Sequence, residues 1–206
     1  MRRDGDMISP ARRTVLHRRI RLLVWAVIFY NVIEAVVALT AGTVASSAAL
    51  VGFGLDSVVE IAAAIAVAWQ FAADDPERRE MAALRFIAWA FFVLAAYITV
   101  DSVLALSGAG EAEPSPVGIG LAAVSLAVMP LLAWLQIRAG REAGSRSAVA
   151  EAKQTLLCSY LSAVLLLGLS LNALFGWAWA DPIAALVIAA VAVREGRAAW
   201  RGDPCC

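Results

Sequence analysis

The 206-residue chain has one histidine, three cysteines and none of the short motifs that accompany phosphate binding or hydrolytic catalysis. His17 lies among arginines near the N-terminus, as expected of a solvated residue. Cys158 has no histidine partner elsewhere in the apolar part of the chain, which excludes a nucleophile of the Cys–His type. We therefore expect no enzymatic activity, no permanently bound cofactor and no nucleic-acid partner. With so few cysteines, Cys205 and Cys206 at the C-terminus included, no disulfide framework is implied.

Charge is also scarce. Charged residues make up 17% of the chain and hydrophobic residues 62%, with a mean hydropathy of +0.77. A soluble domain is closer to half apolar, so the composition indicates an integral membrane protein. At about 20 residues for each membrane span, the chain has room for five or six helices and little room for a soluble domain.

Six apolar spans can be recognised, and they predict an all-α polytopic bundle of six transmembrane helices. The expected spans are Leu22–Ala41, Ala49–Ala73, Met81–Leu106, Val117–Ile137, Ala148–Leu171 and Trp179–Trp200. The predicted organisation is a basic cytoplasmic segment at residues 1–21, a membrane domain at residues 22–201 and a short cytoplasmic tail at residues 202–206.

The basic residues are distributed unevenly. Of the 17 lysines and arginines, seven precede or begin the first span, three lie by the second connection, four by the fourth connection, and three close the last span. The other three connections carry none. The positive-inside rule then predicts that both termini are cytoplasmic, in a multi-pass protein of the cytoplasmic membrane. Membrane lipids are the expected partners of these cations.

Two carboxylates lie inside the second span. Asp56 and Glu60 are four residues apart, so they share one face of a helix. Each costs about 2.5–3.5 kcal/mol on membrane-insertion scales. Such a cost is typical of a functional site, and binding of cations is the obvious use; a purely structural role, as protonated acids bonded between helices, is the alternative.

Polar residues recur at helical spacing on two further spans. Gln154, Cys158 and Ser162 follow one face of the fifth span, and Asn31 and Glu34 lie on the first. A rise of about 1.5 Å per residue places Asp56, Glu60, Gln154 and Cys158 at overlapping depths. If spans two and five touch, these four side chains form a ligand set for a divalent metal. Zinc accepts both sulfur and carboxylate oxygen, whereas a thiolate selects against magnesium and calcium.

The pattern resembles the membrane domain of the cation diffusion facilitator family. That resemblance rests on residues 47–60 on the second span, residues 150–162 on the fifth and residues 180–189 at the start of the sixth. It implies six spans, cytoplasmic termini and a metal site built from Asp-x-x-x-Asp on span two and His-x-x-x-Asp on span five. Here Glu60 replaces the second aspartate, Gln154 stands at the histidine position and Cys158 at the aspartate position.

The sequence also departs from the family pattern. Too few residues follow Trp200 for the cytoplasmic domain of the family, so its regulatory and dimer-forming roles do not carry over, although a homodimer remains open. Glutamine is a weak metal ligand, and cysteine is softer than aspartate. Zinc is the first expectation, with cadmium and cobalt as alternatives. Glu34 and Ser162 are candidate outer or alternate ligands.

The resemblance implies export of a metal cation in exchange for protons by alternating access. One alternative is a membrane scaffold or metal-sensor subunit that does not transport. A proton-coupled transporter of an organic solute is a second alternative, which the lack of a pair of glycine- or proline-broken helices makes less favourable.

Overall fold

The computed structural model describes residues 10–71, 76–109, 112–143 and 146–201. These residues form six α-helices and no strand, which confirms the all-α prediction. The helices are α1 (Pro10–Val44), α2 (Ala48–Phe71), α3 (Pro76–Leu104), α4 (Pro116–Ala143), α5 (Arg146–Phe175) and α6 (Ala180–Arg201). A short π-helical turn at Ala105–Ala109 follows α3.

Proline marks the start of three helices. Pro10, Pro76 and Pro116 are the first residues of α1, α3 and α4. Proline suits this position because the first turn of a helix needs no backbone N–H donor from it and its fixed φ is already helical. Since α1 begins at Pro10, most of the predicted N-terminal segment continues into the first span as one helix.

Five helices contain segments long and apolar enough to cross a membrane. These segments are Arg18–Val44, Ala48–Ala66, Met81–Gly108, Pro116–Glu142 and Thr155–Phe175. The sixth helix, α6, is apolar at residues 182–193 and then carries Arg194, Glu195 and Arg197. The protein is therefore an integral, multi-pass bundle. Which side each terminus faces stays a prediction.

The helix α2 occupies a central position, because it contacts α1, α3, α5 and α6. Around it, α4 packs against α5 and α3 packs against α6. Phe53 of α2, Leu165 of α5 and Ile188 of α6 are fully buried in the shared core. Large apolar side chains such as Phe29 and Trp89 point outward, as expected of surfaces that face lipid.

Close packing between α1 and α2 depends on Gly54. A Cβ placed on this residue would lie 3.0 Å from the Cβ of Ala38 and 3.0 Å from the backbone nitrogen of Leu39. Small residues of this kind let the backbones of membrane helices approach each other. The polar residues of α1 are thereby held next to the acidic face of α2.

Candidate metal centre

Three of the four predicted ligands meet inside the bundle. One oxygen of Asp56, one oxygen of Glu60 and the sulfur of Cys158 all lie within 4.8 Å of one another. The three residues are 5%, 8% and 1% exposed, respectively. We call these three residues the acid–thiol cluster.

The helices explain this convergence. Asp56 and Glu60 are one turn apart on α2 and therefore point in nearly the same direction. Cys158 lies on α5, which contacts α2 over a short stretch. In a zinc site, metal–oxygen bonds are about 2.0–2.2 Å and metal–sulfur bonds about 2.3 Å. Ligand atoms within 4.8 Å of one another therefore need only small side-chain movements to bind one ion.

Gln154 lies on α5, one turn before Cys158. Its side chain lies outside the described residues, so its role as a ligand stays a prediction.

Gly52, one turn before Asp56, faces a neighbouring helix. A Cβ at this position would lie 2.9 Å from Cδ1 of Ile98 on α3, so the space is filled by a side chain.

Glu34 borders the cluster from α1. It is fully buried, and its Oε2 accepts hydrogen bonds from Ser57 Oγ at 2.8 Å and from the thiol of Cys158 at 3.8 Å. Its Oε1 accepts a hydrogen bond from Ser125 Oγ on α4. Glu34 thus contacts a cluster member directly, in a position suited to an outer ligand.

Ser162 acts differently from Glu34. Its Oγ donates a hydrogen bond of 2.8 Å to the backbone carbonyl of Cys158, within α5. This bond goes to the peptide group and not to the thiol. Within the described part of the chain this is the hydrogen bond that the Ser162 hydroxyl donates, and the predicted role of Ser162 as an outer ligand stays a prediction.

Several contributors to the site were not recognised in the sequence. Ser57, Ser125 and Tyr30 form a network with Glu34, in which the Tyr30 hydroxyl lies 2.8 Å from Ser125 Oγ. Glu195 of α6 is also buried inside the bundle. Serines are common in apolar helices, so the sequence gave no reason to select Ser125 as a site residue. Glu195 was not selected because it lies among the basic residues that close the last span.

Asn31 on α1 contacts the acidic pair itself. Its Nδ2 donates a hydrogen bond of 2.8 Å to Glu60 Oε2. The spacing of Asn31 and Glu34 had marked a polar stripe on the first span. The structure shows that this stripe reaches two members of the acid–thiol cluster, Glu60 through Asn31 and Cys158 through Glu34.

The chemistry of the cluster favours a borderline or soft divalent cation. Carboxylate oxygens supply negative charge, and a thiolate binds zinc, cadmium or cobalt in preference to magnesium or calcium. The low-dielectric surroundings strengthen every charge interaction at the centre.

Comparison with known proteins agrees with this architecture. No curated protein matches the chain. The family described as the cation efflux transmembrane domain matches residues 24–200, which is most of the sequence and includes every residue of the acid–thiol cluster. The chain therefore belongs to the cation efflux family and is a membrane transporter of metal cations.

Proposed function

We propose that the protein exports a divalent transition-metal ion in exchange for protons, with zinc as the first candidate. We also propose that the acid–thiol cluster is the transport site. The observation that carries this proposal is the convergence of two carboxylates and a thiol inside a helix bundle of the cation efflux family. A chain of this kind inserts into the cytoplasmic membrane, with lipid around its apolar surface. A homodimer is compatible with transport but not required by a site built within one chain.

Proton exchange follows from the ligand chemistry. Carboxyl and thiol groups bind a metal ion in their deprotonated forms, so binding of the ion releases protons. When the site opens to the side with more protons, protons compete for the same oxygens and sulfur and displace the metal. One site that faces two solutions alternately is therefore sufficient for coupled exchange.

The buried position of the cluster fits alternating access. Asp56, Glu60 and Cys158 are nearly inaccessible from either side of the bundle. An ion can reach them only if helices move relative to one another, and such movement gives each side access in turn.

Reconstituted protein tests the proposal. Purified protein in liposomes, with a zinc indicator and a pH indicator inside, is expected to move zinc and protons in opposite directions without any partner protein. Asp56→Asn keeps the size of the side chain but removes its charge, so it is expected to abolish both fluxes. Glu113→Gln is the matched control, because Glu113 is exposed on the connection between α3 and α4 and lies outside the cluster.

Two results would contradict the proposal. Zinc flux in Asp56→Asn equal to that of the wild type would show that the site is elsewhere. Failure of the wild type to move any transition metal, in liposomes where the protein is folded and inserted, would favour a scaffold or sensor. Zinc flux without proton flux would contradict the proposed proton exchange but not the proposed export of zinc.

A further inference from the structure

Asn31 presents a buried oxygen that has no hydrogen-bond partner. The residue is 3% exposed, and its Nδ2 donates to Glu60 Oε2. Its Oδ1 accepts no hydrogen bond from any residue that the structure describes. Because both atoms belong to one amide group, the bond to Glu60 places this oxygen at the edge of the acid–thiol cluster.

A buried amide oxygen without a hydrogen-bond partner makes the folding of an apolar helix bundle less favourable. Burial of an amide group without a compensating hydrogen bond lowers the stability of the folded protein. In membranes this cost is not relieved by solvent, and native structures contain few such groups. We therefore expect the Oδ1 atom to interact with a bound group. The adjacent carboxylates would attract a cation to this position, and an amide oxygen can bind a cation.

We propose that Asn31 Oδ1, in place of the predicted ligand Gln154, is the fourth ligand of the transported metal ion, so that α1 contributes to the site together with α2 and α5. This inference rests on the proposed function. The acid–thiol cluster supplies three ligand atoms, and zinc sites held by protein are usually four-coordinate and tetrahedral. Among the described residues, the amide of Asn31 lies next to the carboxylate of Glu60 and offers an oxygen as the fourth ligand atom.

A neutral amide oxygen suits this position. It holds no proton, so it binds the ion without adding to the protons released, and it adds no further negative charge to a buried site that already contains two carboxylates. The N–H bond from the same amide to Glu60 orients that carboxylate. Asn31 would thus bind the ion and position Glu60 at the same time.

Metal binding by purified protein tests the inference, with zinc measured by calorimetry and cobalt by its visible absorption. Asn31→Leu removes both the oxygen and the N–H donor, so the zinc Kd is expected to rise by more than about tenfold, the lower end of the effect of losing an outer contact. Asn31→Asp keeps an oxygen ligand, so it is expected to bind zinc more tightly than Asn31→Leu does. At saturating cobalt, the d–d bands of Asn31→Leu should differ from those of the wild type, while the sulfur-to-cobalt charge-transfer band persists.

Asn172→Leu is the matched control. Asn172 is also a buried asparagine, and its Nδ2 donates to the carbonyl of Ala112 at 2.7 Å. It lies 14 residues after Cys158 on α5, about 21 Å along the helix. Its substitution is expected to leave the zinc Kd and the cobalt spectrum unchanged.

The outcomes separate this inference from the proposed function. If the wild type binds zinc and Asp56→Asn does not, while Asn31→Leu at saturation gives the cobalt spectrum of the wild type, Asn31 is not a ligand and only the inference fails. An Asn31→Asp variant as weak as Asn31→Leu would assign the effect to the lost N–H donor and would likewise overturn it. If the wild type binds neither metal, the proposed function and the inference fail together.

Discussion

Ser47 Oγ donates a hydrogen bond of 2.5 Å to Oδ1 of Asp181, although the two residues are 134 positions apart. The other oxygen of Asp181 accepts a hydrogen bond from the backbone nitrogen of Ala49 at 3.2 Å. Both side chains are fully buried. The first turn of α6 therefore caps the N-terminus of α2, where a negative charge is favoured by the helix dipole. This contact fixes the helix that carries Asp56 and Glu60.

Removal of the Asp181 carboxylate is expected to destabilise the bundle. Asp181→Ala leaves the Ser47 hydroxyl and the Ala49 N–H buried without their acceptor, at about 1–3 kcal/mol for each unsatisfied group. Thermal unfolding of the purified protein in detergent should show a lower midpoint. Glu113→Ala, at an exposed position, should leave the midpoint unchanged. Equal midpoints for wild type and Asp181→Ala would show that the cap does not stabilise α2.

Substitutions of Cys158 are expected to change the choice of metal. A thiolate favours cadmium, so Cys158→Ser should lose cadmium affinity more strongly than zinc affinity. Cys158→Asp supplies a carboxylate oxygen and should retain zinc binding while the preference for cadmium falls. Competition between the two ions, measured in a protein with Cys205 and Cys206 both replaced by serine, checks this without interference from other thiols. An unchanged ratio of cadmium to zinc affinity in Cys158→Ser would exclude the sulfur from the site.

Glu34 is expected to act as a positioning residue for Cys158. Glu34→Gln keeps the shape of the side chain but replaces one accepting oxygen with a donor, so it disturbs the bonds from Ser57, Ser125 and Cys158. Loss of such outer contacts typically lowers metal affinity by about 10–100-fold. A shift in the sulfur-to-cobalt charge-transfer band would report the change at the thiol directly, which a purely structural role of Glu34 would not produce.

A pair of serine variants provides the control for Glu34. Ser125→Ala removes a hydrogen bond to Glu34 and should weaken metal binding in the same direction. Ser159→Ala removes only a bond of 3.4 Å to the carbonyl of Thr155 within α5, so binding should be unaffected. Equal effects of the two serine variants would contradict the role of the network.

The approach of α1 to α2 is expected to be sensitive to a single methyl group. Gly54→Ala places a Cβ 3.0 Å from Ala38 and from Leu39, so the helices must separate by a few tenths of an ångström. This shift moves Asn31 and Glu34 away from the acidic face, so both thermal stability and zinc affinity should fall. Gly120→Ala is the matched control, since a Cβ there meets no atom within 4 Å and alanine is the better helix former by about 1 kcal/mol. Zinc binding by Gly54→Ala that equals the wild type would show that the site tolerates movement of α1.

Much of the architecture could be predicted from local patterns. Apolar run length and the placement of arginines predicted six helices, and the residues that the structure describes form six α-helices. The spacing of Asp56 and Glu60 placed both carboxylates on one face of α2. The rise per residue along each span placed Cys158 at a similar depth in the membrane. These features could be predicted because helix period and rise per residue are properties of a single segment.

The contacts between helices could not be predicted in the same way. In a membrane both the lipid-facing and the inward-facing surfaces of a helix are apolar, so the sequence of α4 does not tell whether Ser125 faces lipid or Glu34. The hydrogen bond between Asn31 and Glu60 likewise requires a particular rotation of α1 against α2, two helices that pack closely at Gly54.

The amino-acid sequence by itself determined the number of helices, their apolar character and the ligand types available, because these depend on composition and on spacing along one chain segment. Only the tertiary structure decided that α1 contacts the acid–thiol cluster and that α6 caps α2. Those relationships depend on which helices are neighbours and how each is rotated, and residues as far apart as Ser47 and Asp181 meet only after the bundle has packed.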